Sequence, residues 1–281
     1  MCIQKNAKKP WWLMPLVLIE AFSMPTLWAD SRYREFDLGG AEEVEVITAA
    51  ANVVVEATTA PRALLGLDSS GPIPKECVLE SKIEKTKLVI SLKGKPVSRR
   101  QLFWRTNTEA CSTVALRLQI PGSIALEVHS ASGEVSVGQR SSEVKIDTAS
   151  GDIHLDGPSG LIEANSASGD IEGKSSSPHL KLASMSGDIQ LSGLSGLVEA
   201  ETASGDVALD WAKAPAKGAI EANSASGDIV FSFPQGTKVN AQITQAFGSY
   251  PVNQVGSDPK AELQLTASSA SGKVTIKAKN K

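Results

Sequence analysis

Five aspartates, Asp152, Asp170, Asp188, Asp206 and Asp228, are the residues whose type and spacing best suit chemistry; each follows a Ser-Gly pair, and the first four lie 18 residues apart. Carboxylates stacked at that interval repel unless compensated. Backbone amides at a turn would compensate them and favour the ionised form; calcium, which takes oxygen ligands, is the other candidate. Calcium-binding nonapeptides read Gly-Gly-x-Gly-x-Asp, and no such run occurs, so amide capping is favoured. Two hydroxyl columns accompany the aspartates: Thr148, Ser166, Ser184, Thr202 and Ser224, and Ser150, Ser168, Ser186, Ser204 and Ser226. Parity assigns both to the interior, where stacked hydroxyls bond to one another and to corner backbone. A nucleophilic serine needs its own base, and these recur beside no histidine. His129, His154 and His179 fall at three different places in the pattern, all with outward parity. We identify no catalytic, cofactor or metal residue.

Two further groups stand out. Cys77 and Cys111 are the only cysteines beyond the first residues of the chain, and an isolated pair in an oxidising compartment usually bridges. Such a bridge is worth roughly 3–4 kcal/mol on the chain-entropy model; two buried free thiols are the alternative. Between Gly94 and Ser112 the pattern lapses, and Arg99, Arg100 and Arg105 surround Phe103 and Trp104. This is either a binding loop for an anionic polymer or lipid, or a solvated loop whose aromatics tuck onto the body.

The elements that position these residues are written in a repeat. Gly133, Gly151, Gly169, Gly187 and Gly205 recur every 18 residues, and Gly227 and Gly272 follow at wider spacing. A short fixed period signals a solenoid. Aligned on glycine, each copy reads apolar-x-apolar-x-Ser/Thr-x-Ser-Gly-Asp-Ile-x-Leu. The alternation is that of strands with one face buried. Val144, Ile162, Leu180, Val198 and Ile220 form one inward column, and Ile153, Ile171, Ile189, Val207 and Ile229 another. Between them the parity flips, so Ser-Gly-Asp is a corner, where glycine's tolerance of positive φ is useful. The fold expected is all-β: a single-stranded parallel β-solenoid (β-helix) with coils of about 18 residues.

Residues 1–29 have a basic start, a short apolar core and a small final residue, the pattern of a signal peptide; an uncleaved anchor is the alternative. Residues 30–130 form a less regular N-terminal part of the solenoid, with worn coils at Val44–Val55 and Leu79–Ile90. Residues 131–281 carry the regular repeats and a C-terminal cap. Within them, Trp211–Ala219 is expected as an outward loop, Ala241–Val252 as a degenerate coil and Leu265–Ile276 as the last coil. Lysines 273, 277, 279 and 281 would discourage strand pairing at that end.

Val114–Val137, with its Pro-Gly turn and Ser-Gly-Glu-Val corner, leads into the Ser-Gly-Asp-Ile coils and resembles the bacterial putative-adhesin family, a domain of unknown function. That resemblance implies exported envelope proteins with roles around adhesion and envelope-stress sensing, and no family catalytic residues. It points to the periplasm or the bacterial cell surface.

The net charge of −3 argues against a nucleic-acid partner, and no apolar run in the mature chain is long enough to span a membrane. The expected function is therefore a non-enzymatic envelope binding module whose partner is a glycan, a lipid or a protein. A polysaccharide-active β-helix enzyme is the alternative, and would need carboxylates clustered with Lys, Arg or His where the repeat breaks. A structural spacer is the third possibility.

Overall fold

The computed structural model describes residues 32–38, 40–95, 111–247 and 250–279. The expected leader and the basic-aromatic group Arg99, Arg100, Phe103, Trp104 and Arg105 lie outside the described residues. Twelve strands form one sheet: β1 (Arg32–Asp37), β3 (Asn52–Thr58), β4 (Arg62–Ser69), β7 (Val114–Pro121), β9 (Val135–Val137), β11 (Ile153–Asp156), β13 (Ile171–Lys174), β15 (Ile189–Leu194), β17 (Val207–Trp211), β19 (Ile229–Phe233), β21 (Val252–Asn253) and β23 (Val274–Ala278). Eleven form the other: β2 (Glu43–Thr48), β5 (Cys77–Glu84), β6 (Lys87–Gly94), β8 (Ala125–Ser130), β10 (Val144–Thr148), β12 (Ile162–Ser166), β14 (His179–Ser184), β16 (Leu197–Thr202), β18 (Gly218–Ser224), β20 (Asn240–Gln245) and β22 (Leu263–Ser269).

Each coil gives one strand to each sheet, and equivalent residues pair in parallel: Val144 with Ile162, Ile162 with Leu180, Ile153 with Ile171. The alternating apolar columns meet between the sheets, with Val144, Ile146, Ile153 and Leu155 fully buried. No coil could bury these residues alone, so the stack is the unit of stability.

The corners differ from expectation in two respects. The first hydroxyl column is buried, but Ser150, Ser168, Ser186, Ser204 and Ser226 are exposed, because the chain already turns at the intervening residue. The corner glycines also avoid left-handed φ. They are needed for space: a Cβ on Gly169 would fall inside the carbonyl of Gly151, and one on Gly187 inside that of Gly169.

Both ends depart from chain order. β2 and β3 make a coil that stacks on β8 and β9, while β6 and β7, later in sequence, lie beyond it. β4 pairs antiparallel with β7 and β1, and β5 antiparallel with β6. Leu79–Ile90 is thus a hairpin turning at Lys85, which carries φ 56°, and not a coil. Cys77, at the start of that hairpin, is disulfide-bonded to Cys111 just ahead of β7. At the other end β22 and β23 insert between β18–β19 and β20–β21. The lysine-bearing coil is therefore second from the end and does not protect it.

Trp211 faces inward and is fully buried. It stacks on Phe233 at 4.6 Å and Phe231 at 6.2 Å, and its indole N–H donates to the carbonyl of Gly196 at 2.9 Å. Gly205 and Gly227 lie 22 residues apart, four more than the regular period; these rings fill that longer coil, and only the residues after Trp211 loop outward.

Corner packing yields two predictions. Gly169→Ala should lower unfolding stability by about 1–3 kcal/mol, since backbone and not a yielding side chain blocks the methyl. Ser184→Ala, which removes a buried hydroxyl, should cost about 1–2 kcal/mol, whereas Ser168→Ala at the exposed column should cost within about 0.5 kcal/mol. Urea denaturation of the three variants checks both.

Candidate functional site

The aspartate ladder is built by one repeated bond. The N–H of Asp170 donates to Asp152 Oδ1 at 2.9 Å, that of Asp188 to Asp170 at 2.8 Å, that of Asp206 to Asp188 at 2.8 Å and that of Asp228 to Asp206 at 2.7 Å. Asn52 begins the series by accepting from the N–H of Glu134, and the N–H of Lys273 ends it on Asp228. One oxygen of each carboxylate is thus committed to the next coil. Behind the ladder, the N–H of Gly187 donates to Ser184 Oγ at 2.9 Å, and that hydroxyl donates to the carbonyl of Gly169 at 3.1 Å. The exposed serines donate to the coil before, as Ser168 Oγ does to the carbonyl of Ala149 at 3.2 Å. The predicted corner glycines, Gly133, Gly151, Gly169, Gly187, Gly205, Gly227 and Gly272, all occupy this one edge.

A charged cluster that the sequence did not reveal lies on the outer face of the eleven-stranded sheet. The out-of-order stacking sets β6, β2, β8 and β10 side by side. Glu45 lies directly opposite Glu127, an arrangement that repels by itself. Lys87 resolves it: its Nζ is 2.9 Å from Glu43, 3.2 Å from Glu45 and 2.9 Å from Glu127. Hydrogen bonds to Glu43 and Glu127 raise the ammonium above the usual lysine range, and the bond from Lys87 holds the Glu127 carboxyl below the usual glutamate range. His129 stands between two carboxylates, with Nε2 at 3.3 Å from Glu127 and Nδ1 at 3.5 Å from Asp147. Asn165 in turn donates to Asp147 at 2.9 Å. Glu45, Glu127 and His129 offer ligand-type atoms within 4.8 Å of one another, yet Lys87 already bonds both carboxylates.

These shifts oppose acid-base chemistry. A general base made from lysine needs a lowered pKa, and a general acid made from glutamate a raised one. Lys87 and Glu127 move the other way and hold their charges. The other histidines stand apart: His154 lies 3.4 Å from Glu172 on the opposite sheet, and His179 is exposed at the start of β14.

An open groove of about 700 Å³ runs along the corner edge of the eleven-stranded sheet. It crosses β12, β14, β16, β18, β22 and β20, spanning six coils of the stack. Ala203, Ala225 and Ala270 present methyl groups to it, Met185 stands 65% exposed, and Asn165, Glu201 and Asn223 supply polar groups. Among the described residues no helix is long and apolar enough to cross a membrane.

Comparison with known proteins fits this architecture. A crystal structure of a putative adhesin from Bacteroides fragilis NCTC 9343 superposes with a TM-score of 0.50 at 13% identity, covering 89% of this chain and 99% of that one. A putative lipid binding protein from Parabacteroides distasonis ATCC 8503 superposes with a TM-score of 0.52 at 17% identity, covering 89% and 97%. At such identities the likeness is one of fold. No curated protein matches the sequence. Residues 107–281, well over half the chain, match the Toastrack DUF4097 family, and the chain belongs to that family.

Proposed function

We propose that this protein is an exported, non-enzymatic envelope component that binds an envelope glycan along its corner groove, in the periplasm or at the bacterial surface. In this reading residues 1–29 direct export, residues 30–130 build the N-terminal end and residues 131–281 carry the binding array. The observation that carries it is the division of labour among polar groups. The repeated aspartates and serines are engaged in joining coils, and the clustered lysine and glutamates hold their charges against proton transfer. What remains is a long, open, mixed surface. Amides and a carboxylate beside methyl groups suit a sugar polymer, whose hydroxyls need partners and whose ring faces are apolar. An open trough crossing many coils fits a chain better than a small substrate, which enzymes commonly enclose. The two similar structures, a putative adhesin and a putative lipid binding protein, are those of binding proteins and agree in kind.

The test is binding of the purified protein to isolated envelope glycans and to intact cells, with an assay for soluble product on the same glycans. We expect saturable binding without product. Ala203→Arg with Ala225→Arg, both at exposed positions, should weaken it about tenfold or more by filling the groove. Released oligosaccharide would replace this reading with the enzyme, and no binding to any glycan would leave a spacer. A second prediction concerns the cluster. Lys87→Met should lower stability by about 1–2 kcal/mol, because three carboxylates then face one another, while glycan binding is unchanged. Adding Glu45→Gln should recover part of that loss in thermal melts.

A further inference from the structure

The two ends of the solenoid are finished differently. Each sheet has two edge strands: β1 and β21 in one, β5 and β20 in the other. Natural edges are blunted by charge, proline or bulges against pairing with another chain. The N-terminal edges follow that rule. β5 carries Glu80, Lys82 and Glu84, with Lys82 and Glu84 paired at 2.6 Å, and β1 carries Arg34, Glu35 and Asp37. Both run antiparallel to their neighbours, which also ends the parallel stack.

The C-terminal end is less guarded: Pro251 precedes the two-residue edge strand β21, but β20 itself carries neither charge nor proline. From Val239 to Ser257 no residue is charged, in a chain where 21% of residues are. That segment contains the whole outermost coil, β20 and β21. β20 has one neighbour, β22. Among the described residues its outer side is closed only at the start, where the N–H of Ala241 donates to Ser257 Oγ at 3.0 Å and the N–H of Asp258 donates to the carbonyl of Val239 at 2.8 Å. Backbone groups of alternate residues share a side of a strand, so those two bonds mark odd-numbered residues as outward-facing. Ile243 and Gln245 therefore present their N–H and C=O groups to the open edge. The Ile243 side chain, inward in the template, is only partly covered because no further coil lies over it. Phe247, at the corner that follows the strand, is 77% exposed.

We propose that β20 pairs with β20 of a second copy of this chain, joining two solenoids tail to tail. A two-fold contact sets each edge residue against the same edge of its mate, so any charge there would meet its own kind. This edge has none. Identical strands related by a two-fold axis normal to the sheet run antiparallel, and the free groups of Ile243 and Gln245 then find partners across the axis. The same axis keeps both inward faces on one side, so the row of Ala241 and Ile243 continues into the mate's row and the cores join. Closure about a two-fold gives a dimer and stops there. The charged N-terminal edges leave a head-to-tail filament without a matching surface.

The experiment is sedimentation analysis of the protein purified from the envelope of its host, over a wide concentration range, with wild type and a Gln242→Lys, Thr244→Lys variant. Both substituted side chains point to solvent from β20, and the variant's melting temperature serves as the control for folding. We expect wild type to reach twice the monomer mass and to stop there, and the folded variant to remain at monomer mass. Wild type that stays monomeric, an open-ended series of masses, or a dimer that survives the two lysines would each overturn the proposal. If the variant fails to fold, Gln242→Lys alone decides by the same criterion. Glycan binding is read separately, since the groove spans six coils of which only one belongs to this edge.

Discussion

Each coil of the array meets the next at a corner where the glycine of one lies against the glycine carbonyl of the coil before, too close for any side chain between them. That approach lets a buried hydroxyl accept from its own coil's glycine N–H and donate to the neighbour's carbonyl, as Ser184 does between Gly187 and Gly169. It also brings each aspartate within reach of the next coil's amide. The corner thus satisfies polar backbone that the turn exposes, at a spacing fixed by the parallel ladders on either side. The alternating columns follow from it. Only when corners stack in register do Ile153, Ile171 and Ile189 lie over one another and leave water together.

Repetition makes residues in equivalent places neighbours. At the corners aspartates meet aspartates and hydroxyls meet hydroxyls, while one outward column alternates in sign, Lys145 lying opposite Glu163 and Glu163 opposite Lys181. The charged group around Lys87 sits where the order of coils is broken. β6 is brought beside β2, and β2 beside β8, from places in the chain roughly forty residues apart or more. There the lysine settles a conflict between Glu45 and Glu127 that the stacking itself creates. Its role is that of a seam, and the shifts of Lys87 and Glu127 away from neutrality follow from it.

The regular coils were legible because their information is local: two apolar columns, a parity flip and a glycine within each 18-residue unit. What the sequence hid is non-local or lacks a local signal. The β5–β6 hairpin turns through Lys85 and Thr86, with none of the Asn-Gly or Gly-rich residues that mark a two-residue hairpin, so a coil was expected there. The charged cluster depends on the order in which coils stack, and alternation within a strand says nothing about which strand lies next. Parity extended through the corner wrongly placed Ser150 and its equivalents inside, because the pleat ends one residue earlier. Trp211 sits in a lengthened coil where the template no longer applies, and only the rings of Phe231 and Phe233 reveal which way it faces.

The ends of a solenoid are where its rule of like upon like must stop, and the two ends here stop it by opposite means. At the N-terminus the chain reverses direction, adds antiparallel strands with mixed charge and ties the start of β5 to the approach of β7 through Cys77 and Cys111. Reversal changes the bonding pattern that another parallel coil would need, and the charges oppose casual pairing. At the C-terminus the chain also departs from sequence order, but it places the lysine-bearing coil inside and a neutral one outside. Had the coils stacked in order, Lys273 and Lys277 would stand on the terminal coil and guard it. The inversion exchanges a protected end for a pairable one while leaving every inner contact of the corner intact, since the N–H of Lys273 still bonds Asp228 as an aspartate would. Stability of the array therefore does not dictate that choice, which leaves what the exposed coil meets as the property on which the two arrangements differ.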